Sequence, residues 1–245
     1  MISAVKLSAL TEFKVKELFK NKTFIISLFL VPGITLAMKL LYQSIIKGEI
    51  PSSLLAMVLN LGVLYNLNAI ALMMPATMMA KDKEKNTLRT LMTSSVTGIE
   101  YFISAIVPTF LVSALLNVVV LLISGIAPEI NVPLYLLVTS LASLTSCIIG
   151  MIVGLHSKNQ MSSSNISTVV MMVFMIIPMF GGMVERLQKV SDFLYTGIVS
   201  SMINSFANGE KFSMNLWSWA VLIGEILIAI GIFIACYKAN GFDKD

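Results

Sequence analysis

Six long apolar runs constrain this 245-residue chain more than any other feature of its sequence. A helix of about 20 apolar residues crosses the hydrocarbon core of a bilayer. Charged residues make up only 12% of the chain, which is about half their share in soluble domains. We therefore predict an all-α, polytopic membrane protein in which residues 1–245 form one transmembrane domain. The six predicted spans are residues 24–46, 54–80, 101–124, 133–155, 166–183 and 216–237.

The distribution of basic residues predicts how this bundle is oriented. Twelve lysines and arginines fall in the N-terminal segment, in the connections after the second and fourth spans and in the C-terminal tail, and four fall on the opposite side. Basic residues accumulate on the cytoplasmic side of membrane proteins. We therefore expect a plasma-membrane protein with both termini in the cytoplasm. Trp217 and Trp219 then lie at the outer interface, where indole rings are favoured.

Two further helices are predicted outside the spans. Residues 1–22 carry five lysines and are predicted to form a helix on the inner membrane surface, close to anionic lipid. The apolar run that follows is longer than the core of a signal peptide and lacks a small-residue cleavage site, so we expect it to be retained as an anchor. The external segment 184–214 repeats apolar residues at helical spacing up to Asn208 and Gly209. That spacing indicates a helix that lies in or dips into the outer leaflet before the sixth span.

The densest cluster of charge lies in the predicted cytoplasmic loop 81–99. It begins Lys-Asp-Lys-Glu-Lys-Asn-Thr-Leu-Arg-Thr-Leu. Thr87 is suited to cap a helix that starts near Leu88, and the leucines give that helix an apolar side. Such a short helix, joined rigidly to the second and third spans, could fit a cleft on a soluble partner. The alternative is a solvated loop whose lysines reflect membrane orientation alone.

This loop resembles the loop between spans two and three of the type-two ATP-binding-cassette (ABC) exporter permeases, and the layout of the whole chain is similar to theirs. The sequence departs from that pattern at Asn86, where the family has glycine, at Arg89, where it has an acid, and at Ser95, where it has proline. The resemblance implies that Asp82, Glu84, Thr87, Leu88, Leu91 and Glu100 couple the spans to an ATPase. The matching positions are these six together with Ser94 and Val96.

The resemblance also implies the partners and the cargo. The chain has no Gly-x-x-x-x-Gly-Lys-Ser/Thr loop, so it would be a permease subunit rather than an enzyme. ATP and magnesium would then bind to separate ATPase subunits. A second permease subunit, identical or different, and membrane lipid are the other expected partners. Nucleic acid is not expected, because basic and aromatic residues are not interleaved.

Exporters of this family move peptides such as bacteriocins or cytolytic toxins, drugs and lipid-linked polymers. The external segment of this chain is short, and its second and fifth spans are rich in methionine, a flexible side chain that adapts to varied apolar ligands. These features favour a hydrophobic or amphipathic cargo, such as a peptide toxin or a drug, that leaves the cell.

Several residues inside the spans are candidates for helix packing, for an ion pair or for lining a path. Gly150 and Gly154 form a small-xxx-small pair, which allows two helix backbones to approach closely. Lys39 and Glu225 lie at equal depth below the outer surface, which allows an ion pair between the first and sixth spans; alternatively, Lys39 extends outward to the interface. The remaining polar groups either line a path or bond to a neighbouring helix; they are Asn60, Asn66, Asn68, Thr109, Ser113 and Asn117.

Two other classes of function deserve comparison. A secondary transporter that couples a small hydrophobic solute to an ion gradient needs acids or broken helices at the midplane, and only Glu225 and residues 178–182 qualify. An intramembrane metalloenzyme needs several histidine and acidic ligands, whereas His156 is the single histidine. We therefore predict no catalytic, cofactor-binding or metal-binding residue in this chain.

Overall fold

The computed structural model describes residues 4–93, 96–208, 212 and 214–239. Every regular element among these residues is helical, and six helices are long and apolar enough to cross a membrane. The predicted all-α architecture with six spans is therefore confirmed. The helices are α1 (Ala4–Lys20), α2 (Lys22–Ile45), α3 (Ser52–Asn66), α4 (Met73–Glu84), α5 (Thr87–Thr93), α6 (Gly98–Ser124), α7 (Val132–His156), α8 (Gln160–Gly181), α9 (Glu185–Ser191), α10 (Tyr195–Ala207) and α11 (Leu216–Ala239), with a π segment at Leu67–Leu72 and a 3₁₀ turn at Ala127–Glu129.

The second span is the longest helix and reaches beyond the membrane. It runs without a break over the 33 residues Ser52–Glu84, as α3, the π segment and α4. At 1.5 Å per residue this length is about 50 Å, whereas the hydrocarbon core of a bilayer is about 30 Å thick. The span was predicted to end at Ala80, but four charged residues continue the helix. Residues 81–84, called the charged segment below, therefore project on a rigid helix towards α5.

The π segment has a local cause and a packing consequence. Pro75 follows it closely, and a proline ring clashes with the carbonyl group four residues earlier, which belongs to Ala71. Widening the helix over Leu67–Leu72 relieves this conflict. The same distortion brings the carbonyl group of Leu72 against Gly150 of the fourth span.

The core lies where the second, third and fourth spans meet. The second and fourth spans are the most buried, whereas the first, fifth and sixth leave most of their surface exposed. Gly150 and Gly154 permit this packing, because a Cβ atom on either would collide with the carbonyl oxygen of Leu72 or Ala76. The two glycines thus lie at a backbone contact between the second and fourth spans.

The external segment forms two helices, α9 and α10, instead of the one continuous helix that we predicted. Gly197 permits the close approach of the two helices at this turn, because a Cβ atom there would collide with the carbonyl group of Ser191. Ile198, Val199 and Met202 of α10 are buried, so this helix packs on protein within the bundle and not on lipid alone. Helical spacing could not distinguish these two environments, since lipid and protein core are both apolar. Gly209, the predicted end of the helix, lies outside the described residues.

Candidate functional site

Four consecutive side chains of the charged segment contact different parts of the molecule. Lys81 and Asp82 bind α1. Lys83 binds the end of α7, and Glu84 binds the start of α8. The segment therefore joins the second span to the N-terminal helix and to the fourth and fifth spans.

A buried ion pair fastens α1 to the second span. The Lys14 ammonium pairs with the Asp82 carboxylate, and neither side chain is more than 4% exposed. The Tyr101 hydroxyl donates a hydrogen bond to the same Asp82 oxygen at 2.5 Å. Because Tyr101 belongs to α6, this one carboxylate links α1, the second span and the third span. Removing one partner of a buried pair leaves an uncompensated charge, at a typical cost of about 3–5 kcal/mol.

Glu17 extends the same cluster towards solvent. Its two carboxylate oxygens accept from Lys14 at 3.0 Å and from Lys81 at 2.9 Å. Burial of Glu17 acts to raise its pKa, but the ammonium groups of Lys14 and Lys81 outweigh burial, and the pKa lies below the ordinary value of 4.5. Glu17 is therefore held in its charged form, and it supports the attachment of α1.

Lys83 and Glu84 bind backbone atoms at two helix ends. The Lys83 ammonium donates to the carbonyl oxygen of Leu155 and, at 3.1 Å, to that of Ser157. The Glu84 carboxylate accepts from the backbone N–H of Gln160 at 3.0 Å. A helix is partially negative at its C-terminus and partially positive at its N-terminus. Each side chain therefore meets the helix end that complements its charge.

The short helix α5 is anchored at one face and exposed at the opposite face. The exposed face around Thr90 is called the tip of α5 below. Leu88 is fully buried against Met79 and Tyr101, and Leu91 packs on the same cluster. Lys85, on the turn before the helix, is exposed, as is Thr90 within it. The buried face ties α5 to the second and third spans, so a force on the exposed tip would reach both.

Asn86 explains the turn that leads into α5. Its φ of 56° lies in the left-handed region, which glycine adopts most readily and which asparagine adopts more often than most other residues. The exporter pattern has glycine at this position, so the departure noted in the sequence preserves the backbone conformation. The helix begins at Thr87, next to the predicted start near Leu88.

A family model described as ABC-2 type transporter matches residues 6–197 of this chain. The matched region contains α1, the first five spans, the charged segment and α5. The chain belongs to the ABC-2 type transporter family. A search among curated proteins finds no match.

Membership of the ABC-2 family gives the chain its general role. It is a transmembrane permease subunit of an ABC transporter and a multi-pass membrane protein. An ABC-2 permease is a membrane subunit and not itself an ATPase, and it normally works with ATP-binding subunits. The family match thereby separates this chain from the secondary transporters and the intramembrane enzymes weighed above.

The residues expected to couple an ABC-2 permease to its ATPase divide into two groups. Asp82, Leu88 and Glu100 are buried within this chain, and the backbone N–H of Thr97 donates to Glu100 in a capping box that starts α6. These three hold the site together and cannot form its outer surface. Glu84 is exposed, and Thr87 and Leu91 are half-buried. Ser94 and Ser95 lie outside the described residues.

Sequence reasoning did not assign a role to five residues of this site: Lys14, Glu17, Lys81, Lys83 and Tyr101. Lys14 carried a usable signal, because it lies between Leu10 and Leu18 at a spacing of four on the buried stripe of α1. A lysine within an apolar stripe requires a buried partner. Nothing in a single sequence identifies that partner as Asp82, which lies 68 residues away.

The hypothesised pair of Lys39 and Glu225 is not brought together by the structure. The Lys39 ammonium donates instead to the carbonyl oxygen of Ile123 at 2.8 Å, near the C-terminus of α6. Glu225 accepts from the backbone N–H of Tyr195 at 2.9 Å, at the N-terminus of α10. Each charged side chain is therefore bonded to a helix end of opposite partial charge, and the two side chains are not bonded to each other.

Most of the polar residues of the second and third spans bond to neighbouring helices, whereas Asn68 donates to the Leu64 carbonyl oxygen of its own span. The Asn66 amide donates to Asn117 at 2.8 Å and to the Ser113 hydroxyl at 3.1 Å. Ser113 and Asn117 both reach Ser143 of the fourth span, at 3.0 and 3.2 Å. On the second span, Asn60 donates to Ser200 of α10 at 2.8 Å. Within one subunit these groups therefore cross-link the bundle.

Proposed function

We propose that this chain is the permease subunit of an exporter in the plasma membrane, and that a separate ATPase pushes the exposed tip of α5. The observation that carries this proposal is the combination of a buried Leu88 and an exposed Thr90 on one short helix. The buried face joins α5 to two spans, and the exposed face can enter a cleft of a soluble protein. Both termini and α5 then lie in the cytoplasm, in agreement with the distribution of basic residues.

The proposed working cycle follows from this arrangement. Binding of ATP and magnesium by two ATPase subunits closes them against each other and displaces the two attached α5 helices. Because α5 is anchored to the second and third spans, the displacement tilts these helices and changes access to the path between two permease subunits. This chain supplies the moving membrane part and no nucleotide site.

The fifth span supports the proposal of a second permease subunit, identical or different. It is the least buried of the six spans. Asn165 is exposed on it, among the exposed apolar residues Met161, Val169 and Met172. An amide facing hydrocarbon is unfavourable, so we place this face at the contact between two subunits, beside the cargo path.

The exposed methionines favour a hydrophobic or amphipathic cargo, with a peptide toxin or a drug as the candidates. On the second span, Met74, Met78 and Met79 do not contribute, because they are buried in the core. On the fifth span, however, Met161 and Met172 are more than half exposed. Flexible, polarizable side chains at such a surface suit cargoes of varied shape.

Affinity purification of the tagged chain from its own cells tests the proposal. We expect an ATPase to co-purify with the wild-type chain. Thr90→Arg should reduce the amount of co-purified ATPase about tenfold, because a bulky side chain at the tip blocks entry into a cleft, and tenfold corresponds to only about 1.4 kcal/mol. Ser8→Arg on the exposed face of α1 is the matched control. Undiminished co-purification with Thr90→Arg would contradict the proposal.

A further inference from the structure

We infer that Lys83 and Glu84 bind the connection between the fourth and fifth spans to the charged segment, so that displacement of α5 moves the fourth and fifth spans as well. This inference rests on the proposed function, since it names the route that the push takes. Family membership does not supply it. It comes from the two sets of hydrogen bonds at the end of the second span.

The first step of the argument is that both side chains bind backbone, not other side chains. A bond between two flexible side chains tolerates large shifts of the helices that carry them. Lys83 instead reaches the Leu155 carbonyl group in the last turn of α7 and the Ser157 carbonyl group just after it, and Glu84 reaches the first N–H of α8. Each bond therefore fixes the axis of one helix relative to the second span.

The second step is the shortness of the bound connection. Only residues 157–159 separate the last residue of α7 from the first residue of α8. Lys83 holds one side of this connection, and Glu84 holds the other. The Asn159 side chain also accepts from the backbone N–H of Ser162 at 2.8 Å, so the start of α8 is ordered from within. A connection held in this way behaves as part of the charged segment.

The third step is the difference between the fourth and fifth spans. The fourth span already has a backbone contact with the second, at Gly150 and Gly154. The fifth span is the least buried, and we place it beside the cargo path. Glu84 therefore carries the displacement to the fifth span, and Lys83 holds the turn that leads into it. Both are positioning residues.

Hydrogen exchange on the chain in lipid nanodiscs tests the attachment without any partner. Glu84→Ala should accelerate exchange of the Gln160 amide about tenfold, the effect of losing one ordinary hydrogen bond. Glu84→Gln should retain most of the protection, because its amide oxygen can still accept. The Ser162 amide, bound to Asn159, serves as an internal reference.

Spin labels on the co-purified complex test the shared movement. Both native cysteines are replaced by alanine, and labels are attached at positions 85 and 158. ADP with vanadate should leave the distance between the two labels unchanged in the otherwise wild-type chain, because both sites move together. In the double variant Lys83→Met, Glu84→Ala, the same addition should change or broaden that distance.

Three results would overturn the inference: unchanged exchange of Gln160 in Glu84→Ala, a distance that changes already in the otherwise wild-type chain, or a distance in the double variant that stays constant. Failure of any ATPase to co-purify would instead refute the proposed function, and the exchange experiment would still decide whether Glu84 holds the connection.

Discussion

Replacing Lys14 by methionine should weaken the attachment of α1 by an amount that the structure allows us to estimate. Methionine preserves most of the volume of the side chain but leaves the buried Asp82 carboxylate without this cation. Asp82 keeps the hydrogen bond from Tyr101, and Glu17 keeps Lys81. We therefore expect the low end of the range for a broken buried pair, a loss of about 3 kcal/mol in the free energy of unfolding.

The double variant Lys14→Met, Asp82→Asn separates charge burial from simple loss of packing. With both charges gone, no uncompensated charge remains, and replacement of a buried pair by neutral residues is often close to neutral. We expect the double variant to recover most of the stability lost in the single variant. The assay is reversible unfolding in mixed micelles titrated with denaturing detergent. Lys16→Met, at the exposed pair with Glu12, should leave the midpoint unchanged. A single variant as stable as wild type, or a double variant no more stable than the single, would refute this reasoning.

Three further predictions concern other parts of the structure. Gly150→Ala should reduce the free energy of unfolding by about 1–3 kcal/mol, since its Cβ meets the Leu72 carbonyl group, whereas Gly224→Ala, which meets open space, should not reduce it in the same titration. Because the pKa of Glu17 is lowered from 4.5, its contribution to the free energy of unfolding is fully present above pH 4.5 and is lost as the pH falls through the lower pKa of the folded state. Glu17→Gln should remove that part of the pH dependence of unfolding. A pH profile of unfolding identical to that of the wild-type chain would argue against the ion pairs. Glu225→Leu should lower the free energy of unfolding by about 1 kcal/mol, because the Tyr195 N–H at the start of α10 loses its acceptor. Glu225→Gln keeps an oxygen that can accept from this N–H, so it should retain wild-type stability. Equal losses in both variants would show that the charge matters and this hydrogen bond does not.

The spans were predictable because hydrophobic burial in a bilayer needs only length and composition. The limits of that reasoning show at the second span, which was predicted to end at Ala80. Composition marks Lys81 and its neighbours as loop, but their charges are compensated by partners elsewhere in the chain, and the helix continues to Glu84. The same apolar criterion could not separate α10, which packs on protein, from a helix that packs on lipid.

The candidate site was predictable in position but not in organisation. The charge cluster and its resemblance to an exporter loop directed attention to residues 81–99. Which of those side chains face outward depends on contacts over long sequence separations, such as Lys14 with Asp82 and Lys83 with Leu155. The resemblance led us to expect that Asp82 and Glu100 couple the spans to an ATPase, whereas both side chains are buried inside the subunit.

The most direct test of the central claim is a photo-crosslinking amino acid placed at position 90 of the chain in its own cells. The account predicts a crosslink from position 90 to an ATPase subunit, stronger or weaker according to bound nucleotide, and none from the same amino acid at position 8. A crosslink to the ATPase from position 8 but not from position 90 would contradict it.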